Sequence, residues 1–420
     1  MSDTLDLNTL TFLDPAVQEC PFPAYAALHE QAPVFFDRKA GFYVVTAYDD
    51  IRRIVTDPAT FSSGATVELA RDSVDPERAE TARRLFEEKG WLPTPTLSLQ
   101  DDPRHKEVRA IFQKALRAGK IRELDPFIHQ TAIDLVDGFI GDGHCDLVRQ
   151  YTVPLPLIAI CSQVGVPIDD IWAIKRWTDA WMRRFSMMLS PEEETECVEA
   201  EIEFQHYFED IVAGLRDRPN DSVLSDLVNT QLSDGSRLGY DDIVSHLLSD
   251  LFVGGSETTT NAMSEGILLL CENPDQYALL REDLDRHLPG FVEETLRLQS
   301  PVQGLYRVTT REVDLRGVTI PARSLVNVRF AAANRDGQQF ACPAEMDVTR
   351  QNAGAHLAFG SGLHHCIGAP LARREMFWGF KVLLERCRNI RLAPGRNDLT
   401  HMPGMMLRAL KALHIEFDPA

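Results

Sequence analysis

The spacing of apolar and polar residues changes along the chain. "PFPAYAALHEQAP", near residues 21–33, has helical spacing. "VFFDRKAGFYVVTAYDD" then alternates and predicts a β-hairpin. From about residue 100 to 290 the spacing is helical almost throughout, with breaks at proline and glycine. Two strand-like runs follow, "YRVTTREVDLRGVTI" and "SLVNVRFAAA". The last stretch predicts one helix from about Gly368 to Cys387, with short strands at "NIRLAP" and "HIEF". No internal repeat, low-complexity tract or linker interrupts this order. The pattern therefore predicts a mainly α fold with a minor β region (α+β), built as a single large domain over residues 1–420. Length alone, at ~150 residues per domain, would suggest two or three.

Composition narrows the function. Hydrophobic residues make up 44% of the 420, enough for a large core, and the formal net charge is −20. That charge disfavours nucleic acid and anionic lipid as partners. The start, "MSDTLDLNTLTFLDP", has neither a basic flank nor an apolar run, and nowhere are there ~18 consecutive apolar residues, so a cytoplasmic, membrane-free protein is expected. The eight cysteines are scattered without a CxxC pair, too sparse for a disulfide scaffold.

Cys366 stands apart from the other seven. It lies in "AFGSGLHHCIG", Ala358–Gly368, just before the C-terminal helix. A dinucleotide loop would need a third glycine where His365 stands, and a βαβ frame that is absent. Zinc would need four ligands at turn-like spacing, and adjacent His364, His365 and Cys366 point apart. A single thiolate fits better, because helix N-terminal N–H groups stabilise the anion and glycines let backbone approach closely.

A second constellation lies in "DDIVSHLLSDLFVGGSETTTNAMSEGILLLCENP", which predicts one long helix ending at Pro274, roughly 50 Å at ~1.5 Å per residue. Gly254 and Gly255 break its middle, where each costs ~1 kcal/mol relative to alanine. Two readings stand for that pair, a hinge or close packing on one side and room for a bound molecule on the other, and Glu257 and Thr258 follow directly. In "EETLR", Glu294 and Arg297 share a helical face. In "DDPRHKEVR", His105 and Arg109 do the same, and Arg307 follows ten residues after Arg297.

The run Phe359-Gly360-x-Gly362-x-His364-x-Cys366-x-Gly368 resembles the cysteine-ligand loop of the cytochrome P450 family, the haem-thiolate monooxygenases. The resemblance extends in order over roughly residues 100–380 and implies that fold. It implies haem b with Cys366 as its metal ligand, held also by Gly254, Phe359 and Gly368. His105, Arg109, Arg307 and His364 resemble the family's propionate partners. Glu257 and Thr258 resemble its acid–alcohol proton relay, and Glu294 with Arg297 its Glu-x-x-Arg motif. That motif packs on a loop resembled by "ANRD", where Gly337 replaces a proline and predicts a looser turn.

The implied reaction inserts one oxygen atom of O2 into a small, mostly hydrophobic substrate. Electrons would come from a separate iron–sulfur ferredoxin with an NAD(P)H-dependent reductase, since the chain has no flavin or iron–sulfur segment of its own. A monomer is expected. A haem sensor or carrier is the alternative of another class; the Glu257–Thr258 pair argues against it, and against a peroxide-driven peroxygenase. Two basic islands, residues 104–122 and 373–391, are expected to dock the ferredoxin. The substrate pocket is expected to involve Trp91, Tyr306 and "HMPGMM" at His401–Met406, which suits a largely neutral terpenoid, steroid or aromatic.

Overall fold

The computed structural model describes residues 5–67, 69, 76–184, 189–402 and 404–420. The chain forms two compact units, residues 1–62, 126–155 and 258–420 in the first, and 63–125 and 156–257 in the second. It passes between them four times, after residues 62, 125, 155 and 257.

The first unit holds every described strand. The expected hairpin is β1 (Val34–Asp37) and β2 (Phe42–Val45), antiparallel with Val34 opposite Val45. β2 runs parallel to β8 (Leu325–Val328), which pairs antiparallel with β5 (Leu305–Thr309), and β3 (Phe61–Ser62) completes the five-stranded sheet. β6 (Val313–Leu315) and β7 (Val318–Ile320) form a hairpin of their own. β10 (His414–Pro419) lies between β4 (His144–Asp146) and β9 (Cys387–Leu392). The run "FAAA" was expected to continue a strand. It is instead a helical turn, Phe330–Ala333, wholly buried, because four consecutive apolar residues have no polar face to offer a half-solvated strand.

Three helices make the core beneath these sheets, Thr258–Glu272, Leu284–Gln299 and Ala369–Arg386. Two glycines set how closely they pack. A Cβ at Gly266 would stand 2.6 Å from Phe380 Cζ, and one at Gly379 would stand 2.4 Å from Met263 Cε. The second unit is helical. Its long helix, Pro191–Asp217, opens with a capping box in which Glu193 N donates to Ser190 Oγ (3.2 Å) and Ser190 N to Glu193 Oε2 (2.9 Å). Phe204 and Phe208 on it pack with Phe252 at centroid distances of 5.9 and 5.8 Å.

The single long α-helix expected before Pro274 is three windings in series. Tyr240–His246 is α, Leu247–Glu257 is π, and Thr258–Glu272 is α again. The π stretch contains the Gly254–Gly255 pair, where the α-helical ladder is weakest, and Ser256 Oγ donates to the Phe252 carbonyl at 2.6 Å within it.

Candidate active site

Cys366 is exposed, three residues ahead of Ala369–Arg386, whose N-cap is Gly368. Its N–H donates to the Phe359 carbonyl at 2.9 Å and His365 N to the Gly362 carbonyl at 3.1 Å, so the loop folds back on itself. Gly362 has φ +69°, and a Cβ there would stand 2.5 Å from the Val55 carbonyl oxygen. Only glycine fits both the conformation and the space. Gly368 differs: its φ is −82°, and a Cβ would only touch the Cys366 sulfur, at 3.9 Å. Glycine at 368 keeps that side of the sulfur clear rather than permitting a special backbone.

Sequence reasoning missed what supports this loop. Arg373 lies over the half-buried Phe359 ring at 4.6 Å and pairs with Glu293 at 2.6 Å, and His356 reaches the same carboxylate at 3.2 Å. Burial works to raise the Glu293 pKa, but Arg373 and His356 outweigh it and hold the carboxyl down to about 2. Arg373 had been counted with the docking charges; here it is a strut of the cysteine loop. The signal available was Glu293 itself, immediately before the Glu-x-x-Arg motif.

That motif is not a surface pair. Glu294 and Arg297 are fully buried and joined by two 2.7 Å bonds. Arg297 also donates to the carbonyls of Asn334 (2.9 Å), Pro343 (2.6 Å) and Glu345 (3.0 Å), and Arg350 reaches Glu294 at 2.9 Å. The turn at Gly337 is not loose as expected. Asp336 Oδ2 accepts from Tyr48 N (2.9 Å) and Oδ1 from Gln338 N (2.8 Å), which replaces the stiffness a proline would give.

Arg307 is buried on β5, with Nη1 donating to the Tyr306 carbonyl at 2.7 Å, and His364 is half-buried at the end of a 3₁₀ turn, Gly362–His364. Thr258, half-buried, begins Thr258–Glu272. Phe359, His364, Cys366, Gly368, Arg307 and Thr258 thus belong to the first unit, and His105, Arg109, Gly254 and Glu257 to the second.

In the second unit His105 is fully buried and Arg109 half-buried, both on the inner face of Arg104–Ala115. Burial, then repulsion from Arg109, lowers the His105 pKa. Gly254 is exposed next to buried Val253, and a Cβ there would meet only the Ser249 carbonyl, at 3.4 Å. Glu257 is buried and accepts from Thr178 Oγ1 at 3.0 Å, with Lys175 Nζ 3.2 Å away. Burial pushes the Glu257 carboxyl up, Lys175 draws it down and Asp179 pushes it up again; the net shift is upward. Asp179 pairs with Lys175 on the solvent side. Neither Lys175 nor Thr178 was foreseen, because they lie about 80 residues away in sequence.

These residues suit haem. A thiol ligand must be reachable, and burial pushes the Cys161 and Cys387 thiols up to about 12 and Cys271 to about 11. Exposed Cys20 and Cys342 lack the glycine loop. Two propionates need N–H donors or cations, which His105, Arg109, Arg307 and His364 are. The residues expected at the substrate pocket have partners of their own. Tyr306 and Met405 pack on a core cluster with Leu10, Phe12 and Tyr25. Trp91 sits against Tyr240 (4.6 Å) and His206 (5.4 Å), its N–H donating to Gln205 Oε1 at 2.9 Å. His401 joins Glu19 (2.5 Å) and Glu265 (2.7 Å).

Known proteins agree with this arrangement. A family model described as Cytochrome P450 matches residues 175–415. Cytochrome P450 monooxygenase PikC of Streptomyces venezuelae is 34% identical over 403 residues, 94% of this chain and 91% of its own length. The vitamin D(3) 25-hydroxylase of Pseudonocardia autotrophica is 32% identical over 95% of this chain and 94% of its own. The solved structure of CYP109Q5 from Chondromyces apiculatus superimposes with a TM-score of 0.83 at 30% identity, covering 98% of both chains. With the mainly helical fold and the cysteine loop, these likenesses establish that the chain belongs to the cytochrome P450 family, oxidoreductases that carry haem b and act as monooxygenases.

Proposed function

We propose that this P450 inserts one oxygen atom of O2 into a small, mostly hydrophobic substrate, with Cys366 as the thiolate ligand of haem b and a separate ferredoxin and NAD(P)H-dependent reductase as its electron source. The observation that carries the reading is the exposed Cys366, held by the Phe359 carbonyl at the mouth of a helix. When bound, haem b supplies the activation of O2 and the transfer of one oxygen atom to carbon. The rest is the work of the chain. The helix N-terminus favours the Cys366 thiolate. His105, Arg109, Arg307 and His364 bind the propionates, Phe359 and Gly368 frame the sulfur, and Gly254 leaves room on the π segment Leu247–Glu257. Glu257 holds a proton at its raised carboxyl and passes it to the Thr258 hydroxyl beside it in sequence, with Lys175 and Asp179 as the way in from solvent.

A hydrophobic substrate is supported by the relative named for vitamin D(3). The ferredoxin reading rests on exposed Lys106, Arg117, Arg122 and Arg388. The islands are weaker than the bare sequence suggests, since Arg104 pairs with Asp242, Lys114 with Asp226 and Lys381 with Asp285. We read the enzyme as a cytoplasmic monomer working as one domain over residues 1–420. Among the described residues no helix is long and apolar enough to cross a membrane, and neither compact unit is a continuous stretch of chain. The test is spectral. The reduced, CO-bound protein gives the red-shifted Soret band of thiolate ligation, and Cys366→His abolishes it with the activity even where haem is retained. A Cys366→His protein that keeps the band makes another cysteine the ligand.

A further inference from the structure

The π segment Leu247–Glu257 buries Leu247, Leu251, Phe252 and Val253, yet leaves one face accessible. Asp250 and Gly254 lie on that face, four residues and about one turn apart. Asp250 belongs to none of the motifs above. Its Oδ2 takes two hydrogen bonds, from His246 Nδ1 at 2.6 Å and Leu97 N at 3.2 Å. Capping the short 3₁₀ turn Leu97–Leu99 accounts for that oxygen. It does not account for Oδ1, which accepts no hydrogen bond from any described residue, while the side chain keeps only 12% of its surface in contact with solvent. No lysine or arginine among the described residues stands within 4.0 Å of the carboxylate; its nearest ionisable neighbour is His246, itself fully buried with Nε2 lacking a partner.

Oδ1 opens onto the accessible face, so a cation arriving there meets a free acceptor on a carboxylate already drawn largely out of bulk water. We propose that Asp250 is a specificity-determining residue that receives a cationic amine of an otherwise hydrophobic substrate, with His246 and the Leu97 N–H fixing the carboxylate so that Oδ1 faces the ligand beside Gly254. This rests on the reading of Gly254 as the residue that leaves room for cofactor and substrate. It refines the expectation of a neutral substrate: the body is apolar and one end is charged.

The test uses the holoenzyme and two probes, an arylalkyl trimethylammonium ion and the isostere in which carbon replaces its nitrogen. A quaternary nitrogen has no lone pair to bind iron, so any preference reports on the protein. Binding is measured by equilibrium dialysis at low and moderate salt. The wild type binds the ammonium probe about tenfold or more tighter than its isostere, as a partly desolvated charge pair gives. Asp250→Asn, which keeps the acceptor for Leu97 N, removes the preference and leaves the isostere's affinity unchanged. A wild type with no preference overturns the proposal, as does an Asp250→Asn protein that keeps it. Loss of the thiolate CO band in the wild type would instead strike the cofactor reading, so the two failures are told apart.

Discussion

Glu257 and Thr258 are adjacent, but the proposed relay gives them separable tasks. Thr258→Ala should leave oxygen and electron consumption high while product falls and released hydrogen peroxide rises, because the hydroxyl directs protons rather than electrons. Glu257→Gln should slow oxygen uptake and product together, by ~10²–10⁴-fold if the carboxyl is the positioned donor. Because the Glu257 pKa is raised by burial, its acid form persists above the usual glutamate range, so wild-type turnover should decline as pH rises through that shifted value. Glu257→Gln should lack this limb. Paired measurement of oxygen, peroxide and product across pH checks all three, and a Thr258→Ala enzyme as well coupled as wild type would remove the hydroxyl from the relay. Glu375 shows the same physics without the chemistry. It is fully buried, and burial pushes its pKa well above the ordinary value against a hydrogen bond with Thr259 that works to lower it. Above ~4.3 the unfolded chain ionises there and the folded one does not, so folding stability falls with rising pH until the raised pKa is reached. Glu375→Gln should flatten that fall. Denaturant titrations at pH 5 and pH 8 check it; an equal loss in both proteins would mean that Glu375 is ionised in the fold.

At the scale of elements, the buried Glu294–Arg297 pair is a junction. One helix reaches the carbonyls of Asn334, Pro343 and Glu345 through a single guanidinium, and Arg350 closes the set on Glu294. Removing one partner leaves a buried charge uncompensated, a loss of ~3–5 kcal/mol. Arg297→Ala should therefore lower the melting temperature sharply and yield protein that fails to hold haem, whereas Glu80→Ala, which removes the exposed Arg83–Glu80 pair, should leave the melting temperature close to wild type. Thermal melts of both variants decide it. An Arg297→Ala melt matching wild type would show that the loop is held by other contacts.

For the molecule as a whole, the net charge of −20 sets the long-range field, against which the exposed cations of the proposed docking surface would have to guide an acidic ferredoxin. Reversing Arg117, which is exposed, and Arg374, which lies 5.2 Å from the Phe377 ring, should slow ferredoxin-driven turnover and weaken its dependence on salt. Turnover with a chemical reductant should not change. Unchanged ferredoxin kinetics would place the docking surface elsewhere.

Much of the site was legible in the sequence because it is local. Phe359 to Gly368 must fold a short loop onto a helix start, so its glycines and cysteine keep a fixed spacing, and Gly254 to Thr258 share one helical stretch. The mainly helical fold with minor sheets was legible for the same reason, since periodicity is a property of neighbours in the chain. What only the tertiary structure decided depends on burial and on partners distant in sequence. Lys175 and Thr178 find Glu257 across about 80 residues, Arg373 turns from a docking charge into a strut for Phe359, and Arg104 and Lys114 are taken up by aspartates. The lowered pKa of His105 follows from its removal from water, and the open oxygen of Asp250 from what packs around it. A sequence records which groups can ionise; the folded environment sets which of them do, and what they face.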